Sequence, residues 1–573
     1  MRVALLQGVI FCALLTVCAC GGPAAERPAA SEASVRFTDI TAEAGLGAFR
    51  HRNGGFGAYW MPEIMSGGGG FVDVDDDGDP DVVLVGGGSL PGRTDAAGPA
   101  LVVYRNDGGS FSDATAALGL AGERAYGQGI AAADYDNDGD TDILLTAIGR
   151  NRLYRNDAGL FRDVSDAAGL ADVEAWSTSA VFFDADRDGW LDLYIANYLD
   201  WSAETDKVCI ENGQRDYCNP KTYRGMEDTF YRNRGDGTFE NRTAPSGISP
   251  AGAPRRGKGL GVIELDMNDD GWSDLYVAND GEPNFLFRND GAGGFTEVAL
   301  TSGVAVDQNG TPRAGMGVAA GVVDSTGALS LFVGNFSQEM VGVWRRERGE
   351  LFEDRAAASR LGFPTLKTLT FGLVLFDADL DTDLDLLAAN GHVMQYIADK
   401  QLGVSFRQPP QLFLNDGAGY FTEAAAEAGP FAAPLLGRAL ATADHDGDGD
   451  LDVLLTENDG PAHLWRNDTA GGSYLRVRLR SETGNRGAIG ARIRATVKGL
   501  TMERRIRTGG SFQAQSELVA TFGLGGATDV DRLDVTWPDG QTETFQRVAG
   551  GREVLIEQGT GIVADAASSG SAP

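Results

Sequence analysis

Histidine, cysteine and basic residues are all scarce in this chain of 573 residues. Its 4 histidines, His51, His392, His445 and His463, stand far from the 5 cysteines, which excludes a zinc site built on paired His and Cys. Lys and Arg number 48 against 82 Asp and Glu, a formal charge of −34. That balance argues against nucleic acid or an anionic membrane surface as a partner. No apolar run beyond residue 17 is long enough to span a bilayer. No serine-nucleophile elbow, Walker loop or dinucleotide fingerprint is present, so no catalytic or organic-cofactor residue is assigned.

What is plentiful is glycine, 80 residues without a collagen period, and aspartate in one recurring arrangement. Asp134-Tyr135-Asp136-Asn137-Asp138-Gly139-Asp140-Thr141-Asp142 places Asp at positions 1, 3, 5 and 9 and Gly at position 6. Alternate carboxylates on a tight loop converge on one point, and Gly permits the turn. Hard oxygen ligands in a flexible cage suit Ca²⁺, and the following Ile143-Leu144-Leu145 reads as a strand, not an EF-hand helix.

Copies recur about 50–80 residues apart, the size of a four-stranded unit. The predicted ligands are Asp73, Asp75, Asp77, Asp79 and Asp81 in the first loop, and Asp134, Asp136, Asp138, Asp140 and Asp142 in the second. The third offers Asp184, Asp186, Asp188 and Asp192, and the fourth Asp266, Asn268, Asp270 and Asp274. The fifth, Val322-Val323-Asp324-Ser325-Thr326-Gly327, has lost its carboxylates and should hold no metal. The sixth, Asp377, Asp379, Asp381 and Asp385, has Thr382 where Gly is expected, which should weaken it. The seventh offers Asp444, Asp446, Asp448 and Asp452, with the His445 side chain expected to point away. About six structural Ca²⁺ sites follow, and since these clusters hold most of the surplus acidity, folding should be coupled to metal.

Downstream of each loop, alternation runs into Asn-Asp-Gly and out to an aromatic, as in Leu153-Tyr154-Arg155-Asn156-Asp157 then Phe161, a hairpin signal. The last repeat lacks its final strand, and Phe37-Thr38-Asp39-Ile40-Thr41 near the N-terminus supplies it. The predicted fold is therefore all-β: a seven-bladed β-propeller over 37–470, closed by its N-terminal strand, with a small C-terminal β domain over 474–558 packed on or tethered to it.

Residues 1–19 read as a signal peptide ending in Val17-Cys18-Ala19-Cys20, a lipobox with Cys20 as the lipidated residue. Residues 20–36 form the lipidated cysteine and a flexible tether, and 559–573 a disordered tail. Cys209 and Cys218 bracket a short polar loop inserted after the second strand of the third unit. They are expected to form a disulfide.

The Asp-x-Asp-x-Asp-Gly-x-x-Asp loops with their Asn-Asp-Gly hairpins resemble the FG-GAP/VCBS repeats of integrin-α-like propellers. Met61-Pro62-Glu63 before Ser66-Gly67-Gly68-Gly69, and the Cys209–Cys218 loop followed by Tyr231-Arg232-Asn233, resemble bacterial members of the cartilage acidic protein 1 family. Asn485-Arg486-Gly487-Ala488-Ile489-Gly490, Phe522-Gly523-Leu524-Gly525 and Trp537-Pro538-Asp539-Gly540 resemble the ASPIC/UnbV module.

The functional expectation is an exported, calcium-stabilised binding or adhesion scaffold at the outer membrane, periplasm or cell surface. Its ligand would be a protein or glycan, and its only membrane contact the lipid anchor. The alternative is an enzyme or biosynthetic accessory with a pocket at the channel mouth near His51, Glu63 and His392. A weaker one is glycan or anion binding through Asn485, Arg486, Arg492, Gly509 and Gly510.

Overall fold

A computed structural model describes residues 35–565 apart from 56, 91–98, 123–124, 212 and 425–428. The signal segment and Cys20 therefore lie outside the described residues. No helix among those described is long and apolar enough to cross a membrane.

The strands form seven four-stranded antiparallel units. The second is typical: Tyr126–Ala133, Asp142–Gly149, Arg152–Asn156 and Phe161–Asp163. Its two inner strands are almost continuously buried, whereas Phe161–Asp163 buries only the phenylalanine. Inner strands are covered on both faces by neighbouring units, so they read as unbroken apolar runs and not as alternation. The first strands of the units, Gly69–Val72, Tyr126–Ala133, Ala175–Phe183, Gly259–Leu265, Gly315–Val322, Thr370–Phe376 and Gly437–Ala443, neighbour one another in chain order. The last of them lies against the first, so the units make a closed ring, the arrangement of a β-propeller. An apolar cluster fills each wedge between units, such as Phe183, Tyr194, Val262 and Phe287 between the third and fourth.

Phe37–Asp39 pairs with Ala462–Asn467 and completes the seventh unit, with Phe37 opposite Asn467. Phe37 packs edge-on against Phe431 at 5.3 Å. His463 bridges the join, Nε2 lying 3.1 Å from Glu457 and Nδ1 3.5 Å from Asp39. Cys209 and Cys218 are bonded, in a hairpin between the second and third strands of the third unit.

The C-terminal region is a sandwich of two four-stranded sheets. In one, Ser473–Arg480 pairs with Val519–Gly525 and, in parallel, with Arg552–Glu557. In the other, Arg492–Val497 lies between Leu500–Arg505 and Asp529–Thr536. The expected disordered tail from residue 559 is corrected here: Gly561–Asp565 is a strand, with Ile562 opposite Ile556. Gly559 and Gly561, at φ 75° and 95°, make the turn that brings it back, and Ile562-Val563 supply strand-forming residues for an open edge. The Ala/Ser-rich residues 566–573 lie outside the described ones.

Nor is this domain merely tethered. Its core is continuous with the wedge between the second and third units, and the segment 507–517 threads into the ring's axis. Ser511 exchanges backbone hydrogen bonds with Val318 at 2.7 and 2.9 Å, and Gly510 N–H donates to Val262 O. Ala514-Gln515 pairs in parallel with Gly69-Gly70, and the Gln515 amide grips both backbone groups of Ala132. Glu517 N–H donates to Thr442 O in the seventh unit. Phe512 reaches the far end and packs edge-on to Phe371 at 4.9 Å. The glycine run before the first unit is thereby explained, since a Cβ on Gly70 would stand 2.2 Å from Gln515 O.

Candidate metal centres and the face they line

Each acidic loop joins the first two strands of its unit, and the same hydrogen bonds shape all six. The position-1 carboxylate accepts the position-6 N–H, from Gly139 to Asp134 at 3.0 Å in the second loop and from Thr382 to Asp377 at 3.0 Å in the sixth. Position 6 has a positive φ throughout, 107° for Gly139 but also 98° for Thr382, where a β-branched residue is strained. Position 5 accepts the position-7 N–H, as Asp77 does from Asp79 and Asp138 from Asp140. Asp140 in turn accepts Ala158 N–H.

Position 9 does more than the sequence suggested. One oxygen of Asp142 accepts Tyr135 N–H at 3.1 Å and the other Asn156 N–H at 2.8 Å, tying the loop to the third strand. Asp81, Asp192, Asp274, Asp385 and Asp452 do the same with Asn106, Asn233, Asn289, Asn415 and Asn467.

Those asparagines were not singled out from the sequence as functional. Five of the six donate through Nδ2 to the position-2 carbonyl of the preceding unit's loop, as Asn156 does to Val74 O, Asn289 to Ala185 O and Asn467 to Ala378 O, while Asn415 reaches Val323 O at the start of the fifth hairpin. Asn106 in the first unit reaches His445 O in the seventh, so this clasp also closes the ring. The signal was visible as the repeated Arg-Asn-Asp and Leu-Asn-Asp steps, but a hairpin turn accounted for them without any inter-unit bond.

Ligand oxygens gather within 4.8 Å of one another in Asp73, Asp75 and Asp81, in Asp134, Asp136 and Asp142, in Asp184, Asp186 and Asp188, and in Asp377, Asp379 and Asp385. Buried Oδ1 atoms of Asp73, Asp75, Asp136, Asp184, Asp186, Asp266 and Asp379 have no hydrogen-bond partner. Orphaned anionic oxygens at positions 1 and 3 are what a hard cation would complete. Burial, then neighbouring carboxylates, push Asp134 and Asp184 up to about 7. Burial opposed by two backbone hydrogen bonds still lifts Asp142 to about 9. In the fourth loop Asn268 stands beside Asp270, its Oδ1 accepting that residue's N–H at 3.2 Å. In the seventh the gathered side chains are His445, Asp446 and Asp452. His445 does not point away: its Nδ1 lies 2.5 Å from Asp452, and its ring stacks on Phe111, because the apolar wedge between the seventh and first units accepts an imidazole.

The C-terminal sandwich covers this loop face, and the basic residues it carries meet the loops in turn. Arg478 donates to Gly78 O at 3.0 Å, and Arg486 lies 3.9 Å from Asp134. Asn485 N–H donates to Gly189 O, and Arg492 lies 3.6 Å from Asp269. Arg505 pairs with buried Glu264 and Arg476 with Asp444 at 3.2 Å. Asn485, Arg486, Arg492, Gly509 and Gly510, read from the sequence as an alternative anion or glycan site, all stand at this junction or inside the ring.

The opposite face carries His51, Glu63 and His392, and none of the three hydrogen-bonds to another. His51 Nε2 meets Ser66 at 3.2 Å and its Nδ1 accepts Asp459 N–H. Glu63 accepts the Tyr217 hydroxyl at 3.1 Å. His392 Nε2 meets Ser337 at 3.1 Å. Burial, then the positive charge of Arg438, hold both histidines down at about 3, so both are neutral hydrogen-bonding groups. Arg438 is buried and donates to Ile64 O and Gly437 O beneath the Phe371 ring.

Comparison with known proteins agrees with this division. Residues 73–145 and 134–195 match the FG-GAP-like repeat, and 481–563 match the ASPIC and UnbV domain. Cartilage acidic protein 1 of Xenopus tropicalis is 28% identical over 280 residues, 48% of this chain and 40% of that protein. The human protein is 27% identical over 317 residues, 54% of this chain and 45% of its own length. The matched region thus spans under half the length of these curated relatives. An Agrocybe aegerita protein, solved for its recognition of non-reducing terminal N-acetylglucosamine, aligns over 69% of this chain and 86% of its own. Its 15% identity and TM-score of 0.39 are too low to bear on the fold. The FG-GAP-like repeats, the ASPIC and UnbV domain and the shared identity with cartilage acidic protein 1 fit this chain to the cartilage acidic protein 1-like family.

Proposed function

We propose that this chain is an exported scaffold whose ring is stabilised by Ca²⁺ in its acidic loops and which presents the face opposite those loops to a protein or glycan ligand. The observation that carries the calcium reading is the set of buried carboxylate oxygens without partners at positions 1 and 3. Positions 1, 3 and 9 of the first, second and sixth loops, positions 1, 3 and 5 of the third, and the corresponding groups of the fourth and seventh would hold the ion. It would neutralise carboxylates that burial otherwise drives toward protonation.

The choice of face follows from the sandwich. With the loop face covered and the axis filled by 507–517, the opposite face is where a ligand has access. There the disulfide hairpin exposes Val208 and Ile210, and the neighbouring segment exposes Tyr396 and Leu402. Lys400 bridges to Asp216 at 2.9 Å and joins the two. A disulfide belongs to an oxidising compartment, which supports export, and the lipobox at Cys20 supports anchoring there.

Chelation is the test. Adding EGTA to the purified chain should lower its melting temperature by more than roughly ten degrees, since ions bound only by the folded state stabilise it by mass action. An unchanged melt would sink the calcium reading.

A further inference from the structure

We propose that the cavity between the fifth unit and the C-terminal sandwich is a binding site for a small oxyanion, held by Arg504 and Arg507. The cavity measures about 200 Å³. It lies where the ring is irregular: the fifth hairpin carries no acidic loop, and its one carboxylate, Asp324, is taken up by Arg345 at 2.9 Å. Val318, Leu373 and Leu375 give it apolar walls, and Ser511 of the axial segment lines it as well. Its charged lining is mixed, with Asp266, Asp269, Asp377, Glu503 and Glu517 set against five arginines.

The two arginines differ from the others the sandwich turns toward the ring. Arg476, Arg478, Arg492 and Arg505 each have a carboxylate at ion-pair distance. Among the described residues, no carboxylate comes that near Arg504 or Arg507. Arg504 donates through Nε to Thr521 O at 3.1 Å and through Nη1 to Glu503 O at 3.0 Å, while its Nη2 is buried with no partner. Arg507 makes one hydrogen bond, Nη1 to Ala320 O at 3.3 Å. Ser511 Oγ is buried without a partner too. The acidic residues whose charge Arg504 feels most, Asp377, Asp383 and Asp385, belong to the sixth loop. Burial lowers both guanidinium groups, Arg507 to about 10.

Buried unpaired charge is destabilising, and a guanidinium fork matches the oxygens of a sulfate, phosphate or carboxylate. Burial of both guanidinium groups strengthens that attraction, because little water reaches them to screen it. An oxyanion in this cavity would supply the fifth sector with negative charge facing the sandwich, as the loop carboxylates do in the other six.

The experiment uses the full mature chain in low calcium, titrated with sulfate, acetate or chloride at equal ionic strength and followed by calorimetry and thermal melting. Sulfate or acetate should bind saturably and raise the melting temperature above the chloride value, and the better of the two tells tetrahedral from carboxylate recognition. Arg504→Gln and Arg507→Gln should each weaken binding at least about tenfold, since each removes a charge-assisted hydrogen bond. Arg494→Gln, on the same sheet but paired with Glu503, should respond as the wild type does. Arg507→Met should melt no lower than wild type in chloride, because it removes a charge with no partner. If Arg504→Gln does not fold, the Arg507 variants decide alone. A wild-type response to both oxyanions no greater than to chloride, or an undiminished response in the Arg507 variants, would overturn the proposal.

Discussion

The second and fifth units have the same four strands and the same place in the ring, yet they are held by different chemistry. In the second, Asp142 ties the loop to the third strand and Asn156 clasps the first unit at Val74 O. In the fifth, Arg346 stands where the others have asparagine and donates to Met267 O, the equivalent carbonyl of the fourth unit, at 3.2 Å. It also pairs with Asp269 of that loop. A longer cationic side chain has thus taken over the clasp where the metal ligands are gone. The clasp between units and the acidic loop are separable devices: the fifth unit keeps the first without the second.

The largest difference between the two units should come from the position-9 carboxylate. Asp142→Ala leaves the N–H groups of Tyr135 and Asn156 buried and unpaired and should cost about 3 kcal/mol or more by denaturant unfolding. Asp324→Ala, which removes a largely buried ion pair and the acceptor of Thr326 N–H but leaves Arg345 paired with Glu347, should cost less, about 1–2 kcal/mol. Equal losses would show that the fifth hairpin depends on its carboxylate as the second does.

A smaller effect should follow from the clasp. Arg346→Ala should cost about 1–2 kcal/mol, through the lost bond to Met267 O and the ion pair with Asp269. Arg346→Asn should recover part of that loss, since asparagine in the same register reaches the same carbonyl in the other units. If the asparagine variant is as unstable as the alanine one, the two devices are not equivalent. The smallest effect belongs to the sixth loop: Thr382→Gly should gain about 1 kcal/mol by relieving φ 98°, and should tighten Ca²⁺ binding measured by calorimetry. A destabilised Thr382→Gly would mean that the threonine is held there by more than tolerance.

Much of the ring could be read locally. A nine-residue loop fixes its own turn through backbone-to-carboxylate bonds that close within the loop, so Asp134 and Gly139 announce their geometry wherever they stand. The pairing of Phe37–Asp39 with the seventh unit was legible because a missing strand and a spare one matched. His445 was misread because its environment is the Phe111 ring, more than three hundred positions away in the chain. Gly561–Asp565 was misread because composition says nothing of an open sheet edge waiting for a partner.

What the sequence by itself determined is the repeated unit: its strands, its loops, the spacing that sets the unit's size, and the terminal strand that completes the seventh. Those follow from contacts among residues close in the chain or from exact repetition. The tertiary structure alone decided that the C-terminal sandwich sits on the acidic face and drives Gly509–Gln515 through the axis, and that the fifth sector is left with two unpaired arginines. These depend on which surfaces meet after folding, and on charges that find partners hundreds of residues away or find none.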